Sequence, residues 1–225
     1  MKIVIQLVLW ALIAFLGFQL WTSISEPEVF NNTKVERYQK VINNLKDIRT
    51  SQLAHQEITG TFAGTYDSLV RFIDTAQFAV TTRRDTALAD EQKNRAYGLD
   101  AKTGGYFKFI TIVDTLRFVS VKDSLFKDGR YKTMMNVPIE GIDKKITMQA
   151  GKLEDDKGTK YAVFEAKVSK KDILEDLDKP DLLAQELQVV SVEGIKGTEI
   201  KVGSMTDVNT SGNWPKLYDS AKNKQ

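Results

Sequence analysis

Residues 2–24 read KIVIQLVLWALIAFLGFQLWTSI, and this stretch decides the organisation of the chain. From residue 3 to residue 21 only two glutamines and one glycine interrupt the apolar side chains. About 20 apolar helical residues span the hydrocarbon core of a bilayer, and inside that core every backbone polar group must bond within its own segment. The stretch therefore predicts a transmembrane helix, residues 1–25, that anchors the chain.

The charges on either side of the apolar stretch predict its orientation. Lys2 and the N-terminal amine precede it, whereas Glu26 and Glu28 follow it. The positive-inside rule then places the N-terminus in the cytoplasm and the rest of the chain outside it. A cleaved signal peptide is the alternative, because residues 23–25 resemble a small-x-small cleavage site. We favour the uncleaved anchor, since the apolar run exceeds the about 7–15 residues of a signal-peptide core.

The bulk composition limits the remaining possibilities. The chain has 225 residues, 32 Lys and Arg, 30 Asp and Glu, and no cysteine. Beyond the anchor there is room for one domain of about 150 residues. The near balance of charge lacks the basic excess of nucleic-acid-binding proteins, so no nucleic-acid partner is expected. Without cysteine, neither a disulfide nor thiol chemistry is available.

A second helix is predicted within residues 26–58, as an amphipathic stalk. Thr33 and Glu36 have the spacing of a capping box, which marks a helix start. The apolar stripe could pack on the chain's own domain or against neighbouring subunits, and the sequence leaves both open. The stripe recurs at helical intervals and comprises Val35, Tyr38, Val41, Ile42, Leu45, Ile48 and Leu53.

Residues 59–225 predict an extracytoplasmic α+β domain with an antiparallel β-sheet. We expect a short helix over 68–74, capped by Asp67, and then an exposed loop over 81–105 with one short helix at 86–96. A period of two and Gly-containing turns begin at Tyr106 and indicate antiparallel strands. The predicted strands are 107–113, 116–121, 131–139, 145–150, 160–168, 189–192 and 199–202, with short helices at 170–177 and 182–187.

The sequence lacks the residue patterns that usually carry catalysis. His55 is the one histidine, and no G-x-S-x-G motif accompanies it. Residues 124–127 fit S-x-x-K and residues 102–104 fit K-T-G, but their order is the reverse of that in penicillin-binding proteins and no S-D-N lies between them. No phosphate-binding or dinucleotide-binding glycine motif appears. The sequence therefore predicts a protein that is not an enzyme.

One fragment has the start of a metal-binding motif. Asp207, Asn209 and Ser211 alternate before Gly212, in the D-x-N-x-S-G pattern that opens a calcium loop. The closing glutamate of that loop is replaced by Tyr218. We therefore hold two hypotheses, a calcium site on these three side chains and an ordinary Asx-rich turn.

Three segments resemble pilins, and in particular the major pseudopilins of type II secretion. Residues 48–62 resemble the end of the family's long helix, and residues 66–70 resemble the short helix that follows. Residues 206–214, TDVNTSGNW, are similar to the family's C-terminal calcium loop, which closes on Gly-Asn-Trp. The resemblance implies a pilin-like fold and again indicates Asp207, with Asn209 and Ser211, as calcium ligands. A prepilin leader is not recognisable before Ile3, so we expect no prepilin-peptidase processing.

Together these observations predict a non-enzymatic, membrane-anchored structural component of a Gram-negative cell-envelope assembly, related to secretion. Its expected location is the inner membrane, with a single span and a periplasmic domain. Expected partners are the membrane, envelope proteins, and further copies of the chain in an oligomer or filament. The alternative is a tethered periplasmic adaptor that recruits an envelope partner. Apart from calcium, no cofactor is expected.

Overall fold

The structure is a computed structural model that describes residues 2–100, 102–188 and 194–220. The chain divides into two compact units. The first unit comprises Met1–Arg71 and Asp128–Gln225, and the second comprises Phe72–Lys127. As predicted, the architecture is α+β, with a long apolar N-terminal helix and antiparallel sheets.

The first helix, α1 (Lys2–Thr59), is continuous over 58 residues, or about 87 Å at 1.5 Å per residue. Pro27 lies inside it. The predicted capping box is therefore wrong, since no helix begins at Thr33. The Thr33 Oγ1 instead donates a hydrogen bond to the Val29 carbonyl at 3.0 Å, as threonines inside helices do. Proline removes one helical hydrogen bond, and long helices can absorb that loss as a bend.

The N-terminal part of α1 has the properties of a membrane span. Within the described residues, α1 is the one helix long and apolar enough to cross a bilayer, by length and composition. Its most apolar 18-residue window has a mean hydropathy of 2.3, and none of that window is buried in the protein. The bilayer or another protein would have to cover these side chains, because a soluble protein rarely exposes so large an apolar surface.

The sheet of the first unit has three antiparallel strands, β3 (Thr147–Glu154), β4 (Lys160–Ser169) and β5 (Glu199–Gly203), in the order β3-β4-β5. The strands predicted at 160–168 and 199–202 are confirmed as β4 and β5. A tight turn joins β3 to β4, and in it Asp155 Oδ1 accepts hydrogen bonds from the backbone N–H groups of residues 157 and 159.

The core of the first unit lies between α1 and this sheet. α1 contacts β4, β5 and a short following helix, α5 (Lys170–Leu174). The two ends of the predicted stripe, Val35 and Leu53, are 43% and 37% exposed. The middle of the stripe therefore packs within its own chain. Its buried members are Tyr38, Val41, Ile42, Leu45 and Ile48.

The remaining helices are short. α2 (Tyr66–Thr75) begins where the Thr65 hydroxyl accepts from the Ser68 N–H at 3.3 Å, so the predicted cap at Asp67 is wrong; Asp67 lies inside the first turn. After α5 and a 3₁₀ turn comes α6 (Pro180–Leu187), with proline at its first position, where its missing N–H costs nothing. α7 (Leu217–Ser220) is the last described helix.

The second unit contains a long β-hairpin. β1 (Gln77–Ala89) pairs antiparallel with β2 (Phe107–Ser120), and two helices, α3 (Glu91–Tyr97) and α4 (Val121–Leu125), follow the strands. The predicted loop over 81–105 is wrong in its first half, because cross-strand pairing makes residues 81–89 a strand despite their polarity. The two strands predicted at 107–113 and 116–121 are one strand, which a bulge at Leu116 interrupts.

Other predicted strands also differ from the structure. Over residues 131–139 there is a 3₁₀ turn, Arg130–Lys132, and then one isolated bridge between Asn136 and Lys145. The apolar side chains of this stretch, such as Tyr131 and Met134, are buried without extending the backbone. The strand predicted at 145–150 begins later, as β3. The strand predicted at 189–192 lies outside the described residues.

Candidate functional site

The loop that contains the predicted calcium motif, residues 207–212, returns alongside β5 and is fixed to it by backbone hydrogen bonds. The Gly203 N–H donates to the Ser211 carbonyl at 3.0 Å, and the Asn213 N–H donates to the Lys201 carbonyl at 3.1 Å. The Asn213 side chain also accepts from the Lys201 N–H at 2.9 Å. The loop is therefore an ordered extension of the sheet.

Two glycines are required by this arrangement. Gly203 has a φ of +77°, and a Cβ there would lie 2.2 Å from the Phe164 carbonyl oxygen. A Cβ on Gly212 would lie 2.4 Å from the ring of Trp214. The sequence motif explained Gly212 as a turn residue, whereas the structure shows that it makes room for the indole ring.

The three predicted calcium ligands lie in one loop, and two of them use their oxygens inside it. Asp207 Oδ2 accepts from the hydroxyls of Thr206 at 3.2 Å and Ser204 at 3.5 Å. Asn209 Oδ1 accepts from the Ser211 N–H at 2.8 Å, which is the hydrogen bond of an Asx turn. Among the described residues, no group of three or more His, Cys, Asp and Glu side chains could hold a metal. A calcium ion would therefore depend on neutral oxygens around Asp207.

We expect calcium to stabilise the full-length protein if the loop binds it. With a Kd of about 10⁻⁴–10⁻³ M, as in extracellular modules, calcium at ten times Kd would add about 1.4 kcal/mol to the free energy of unfolding. Thermal melts in EDTA and in millimolar calcium measure this, as an increase of about 3–6 °C in Tm. Asp207→Ala is the control and should abolish the increase; an equal increase in that variant would leave the loop a plain Asx-rich turn.

A groove of about 620 Å³ lies beside this loop, between it and α1. The floor on the loop side is the Trp214 indole ring over Gly212. The other wall comes from side chains that project from successive turns of α1. The lining residues are Lys46, Arg49, Thr50, Leu53, Ser211, Gly212, Trp214 and Asp219.

The charges in this groove are only partly paired. Lys46 Nζ donates to Asp219 Oδ1 at 3.0 Å and to the Tyr218 carbonyl at 2.7 Å. The bond from Lys46, and then one from Trp214 Nε1 at 3.1 Å, lower the pKa of Asp219. Arg49 Nε is buried and has no hydrogen-bond partner among the described residues. Two cations and one anion leave the groove positive, so it suits an anionic group that Arg49 can contact.

A buried charge cluster, comprising Lys34, Tyr38, Lys170 and Glu186, was not predicted from the sequence. Lys170 has no exposed surface, and its Nζ donates to Glu186 Oε1 at 3.0 Å, to the Glu186 carbonyl at 3.1 Å and to the Ile195 carbonyl at 2.6 Å. Glu186 also accepts from Lys34 at 2.9 Å and from the Tyr38 hydroxyl at 3.2 Å.

The cluster joins α1, α5 and α6, and its role is structural. All three protons of the Lys170 ammonium are used in hydrogen bonds, so the amine cannot act as a base or nucleophile. Burial, and then the charge of Glu186, raise the pKa of the Tyr38 hydroxyl well above its ordinary value, so Tyr38 stays protonated and donates. No local pattern in the sequence marks Lys170 as buried, because Ser169 precedes it and Lys171 and Asp172 follow it.

His55 lies where the sequence suggested, near the end of α1. Its Nδ1 is 2.6 Å from the Thr61 carbonyl oxygen, so it helps to fix the chain as it leaves the helix. Gln52, three residues earlier, is fully buried, and its side-chain amide both donates to and accepts from the backbone of Ala63 at 2.8 Å. Both side chains are therefore engaged in shaping the turn after α1.

The chain matches no protein-family model, no curated protein and no solved structure.

Proposed function

We propose that this protein is a non-enzymatic, membrane-anchored, pilin-like structural component of a cell-envelope assembly related to secretion. The observation that carries this proposal is the unbroken α1, whose N-terminal part is exposed and apolar and whose C-terminal part is the spine of the first unit. A helix that is both a span and a core element transmits the position of the membrane to the domain without a hinge.

The domain also lies close to the end of the apolar run. Lys179 forms an ion pair with Glu26 at 3.0 Å, and Lys34 reaches Glu186 at 2.9 Å. Phe30, only nine residues after Trp21, is already buried at 6% exposure. The folded part therefore begins within about 15 Å of the apolar segment, at 1.5 Å per residue. In the proposed topology it would rest on the periplasmic surface of the inner membrane.

The exposed apolar part of α1 gives the assembly its contact surface. Side chains all round this helix are exposed, for example Ile13 at 58% and Phe15 at 58%. A helix that is apolar on every side is suited to burial in lipid or among other helices. In the proposed assembly, copies of the chain pack through one face of this helix and lipid covers the other.

The groove beside Trp214 favours a second candidate function, the tethered periplasmic adaptor. Its positive charge and the unpartnered Arg49 Nε fit a carboxylate-bearing segment of a foreign protein, with the indole ring as an apolar contact. In that case the anchor restricts the protein to the membrane surface, and the groove selects the partner.

Photo-crosslinking in the native membrane separates the two candidates. A photoreactive phenylalanine analogue is placed at residue 13 or at residue 15. These positions probe nearly opposite faces of α1, because side chains two positions apart point about 200° apart around the helix axis. For a structural component we expect a ladder of crosslinked copies from one of these positions only.

The matched position for the adaptor is Thr50, which is exposed and lines the groove. A foreign protein captured there, with only lipid captured by residues 13 and 15, would replace the structural proposal with the adaptor. Equal ladders from both residues 13 and 15 would indicate unspecific aggregation and count against a specific helix seam.

A further inference from the structure

The hairpin of the second unit exposes an unusually apolar strand. Phe107, Phe109 and Val113 of β2 are 47%, 80% and 53% exposed, and they share one face because side chains alternate along a strand. Beyond the bulge, Leu116 and Phe118 are also about two-thirds exposed, at 65% and 66%. A surface patch of this kind marks an interaction site.

The outer edge of β2 is open as well. Within the described residues this sheet has two strands, so β2 bonds to β1 on one side only. The hairpin is about 43 Å long, at 3.3 Å for each of the 13 residues of β1. Isolated two-stranded hairpins are marginally stable, and a third strand or a covering layer is normally needed. Residues 107–115 of β2 contain neither proline nor a bulge, two of the devices that protect an edge from pairing, since the bulge lies beyond them at Leu116.

We propose that β2 pairs antiparallel with β2 of a second copy of this chain, about a two-fold axis at Thr111. In this register the two Thr111 residues face each other, Phe109 of each copy faces Val113 of the other, and Ile110 faces Ile112. The result is a continuous four-stranded sheet, β1-β2-β2-β1. The proposal goes beyond the proposed function and does not require it, since any tethered protein with this hairpin would pair in the same way.

Charge complementarity selects this register. Lys108 and Asp114 lie on the face opposite to Phe109, and the register places each Lys108 directly across from the Asp114 of the other copy. Opposite charges across a strand pair are stabilising and like charges are destabilising. A shift of the axis by one residue, to Ile112, would instead place Asp114 across from Ile110. Asp114 now contacts Arg84 of its own β1 at 3.4 Å, so pairing would enclose it between two cations.

The absence of cysteine makes the proposal directly testable. In the full-length protein, extracted in mild detergent, Thr111→Cys would place two thiols across the axis. Directly opposed antiparallel residues have Cα atoms about 4.5–5.5 Å apart, within the about 4.4–6.8 Å that a disulfide requires. We expect copper phenanthroline to convert most of this variant into a disulfide-linked dimer. The substitution removes one exposed hydrogen bond, from Thr111 to Asp85.

Thr82→Cys is the matched control, because it is the same exposed residue type on β1, opposite Asp114. Two β1 strands would be three strand spacings apart, about 14 Å, which is beyond disulfide reach. We expect no dimer from it under the same oxidation. If Thr111→Cys stays monomeric, or if Thr82→Cys crosslinks equally well, the proposed pairing is wrong.

Charge reversal tests the register separately. In the Thr111→Cys background, K108D creates two like-charge pairs and should reduce crosslinking about tenfold at low salt, as expected for about 0.7 kcal/mol per pair. The double variant K108D/D114K restores the two opposite-charge pairs across the strands, although it loses the pair between Arg84 and Asp114, and it should recover most of the yield. Crosslinking that ignores both changes would overturn the register in which Lys108 of one copy lies across from Asp114 of the other.

Discussion

Leu45→Asp is expected to lower the free energy of unfolding by about 4–5 kcal/mol or more. Leu45 lies in the middle of the α1 stripe and has no exposed surface. Removing a buried leucine side chain costs about 2–5 kcal/mol, and an unpaired carboxylate adds the cost of desolvation. Because domains have about 5–15 kcal/mol in total, this substitution should remove a large share of the stability of the first unit.

The measurement is urea unfolding of the full-length protein in detergent, followed by near-ultraviolet circular dichroism. Leu53→Asp is the matched control, because Leu53 belongs to the same stripe but is 37% exposed. We expect it to cost less than about 1 kcal/mol. If Leu45→Asp unfolds at the same urea concentration as the wild type, the stripe is not the core of the first unit, and contact with other subunits becomes the better explanation.

Lys170→Met has the second largest expected effect, a loss of about 3–5 kcal/mol. Methionine fills a similar volume but cannot donate hydrogen bonds. The backbone carbonyls of Glu186 and Ile195 would lose their donor, and the Glu186 carboxylate would lose one of its two lysine partners. Removing one partner of a buried ion pair is strongly destabilising, because the other charge stays buried.

The neighbouring residue provides the control for this prediction. Lys171 is exposed, and Lys171→Met should change the free energy of unfolding by no more than about 0.5 kcal/mol. The double variant K170M/E186L removes both charges and should lose less than the sum of the two single variants, since replacing a whole buried pair is often neutral. Additive losses would show that Lys170 and Glu186 do not form a coupled pair.

The largest error of the sequence-based prediction concerns a polar segment that pairs with a distant strand. Residues 81–89 look like a loop because they contain Arg83, Arg84 and Asp85, yet they form most of β1. Their strand conformation is imposed by β2, whose paired residues lie 18 to 34 positions later in the chain. Local composition cannot reveal such a partner, since β-propensity depends on cross-strand context.

The candidate site was predicted only in part. The D-x-N-x-S-G pattern located the loop, and backbone hydrogen bonds fix the loop to β5. The sequence could not show that Asn209 bonds to Ser211, that Gly212 lies under Trp214, or that Lys46 and Arg49 form the opposite wall of a groove. The two walls of the groove are separated by about 160 positions along the chain, and only folding brings them together.

The sequence by itself determined the features that depend on local periodicity. The apolar run predicted a helix with the length of a membrane span, the 3.6-residue stripe predicted the buried face of α1, and the period of two predicted β4 and β5. These patterns are read within one element, because burial of one helix face or one strand face repeats along that element.

Only the tertiary structure decided where the two predicted helices join and which polar groups are buried. α1 continues through Pro27 without the start expected at Thr33, because one lost hydrogen bond is small beside the packing of Phe30 and the following stripe on the first unit. Lys170 is buried because Glu186 and two carbonyls from distant positions meet its ammonium. A charge is tolerated inside a protein only where the fold supplies its partners, and those partners are set by three-dimensional contacts.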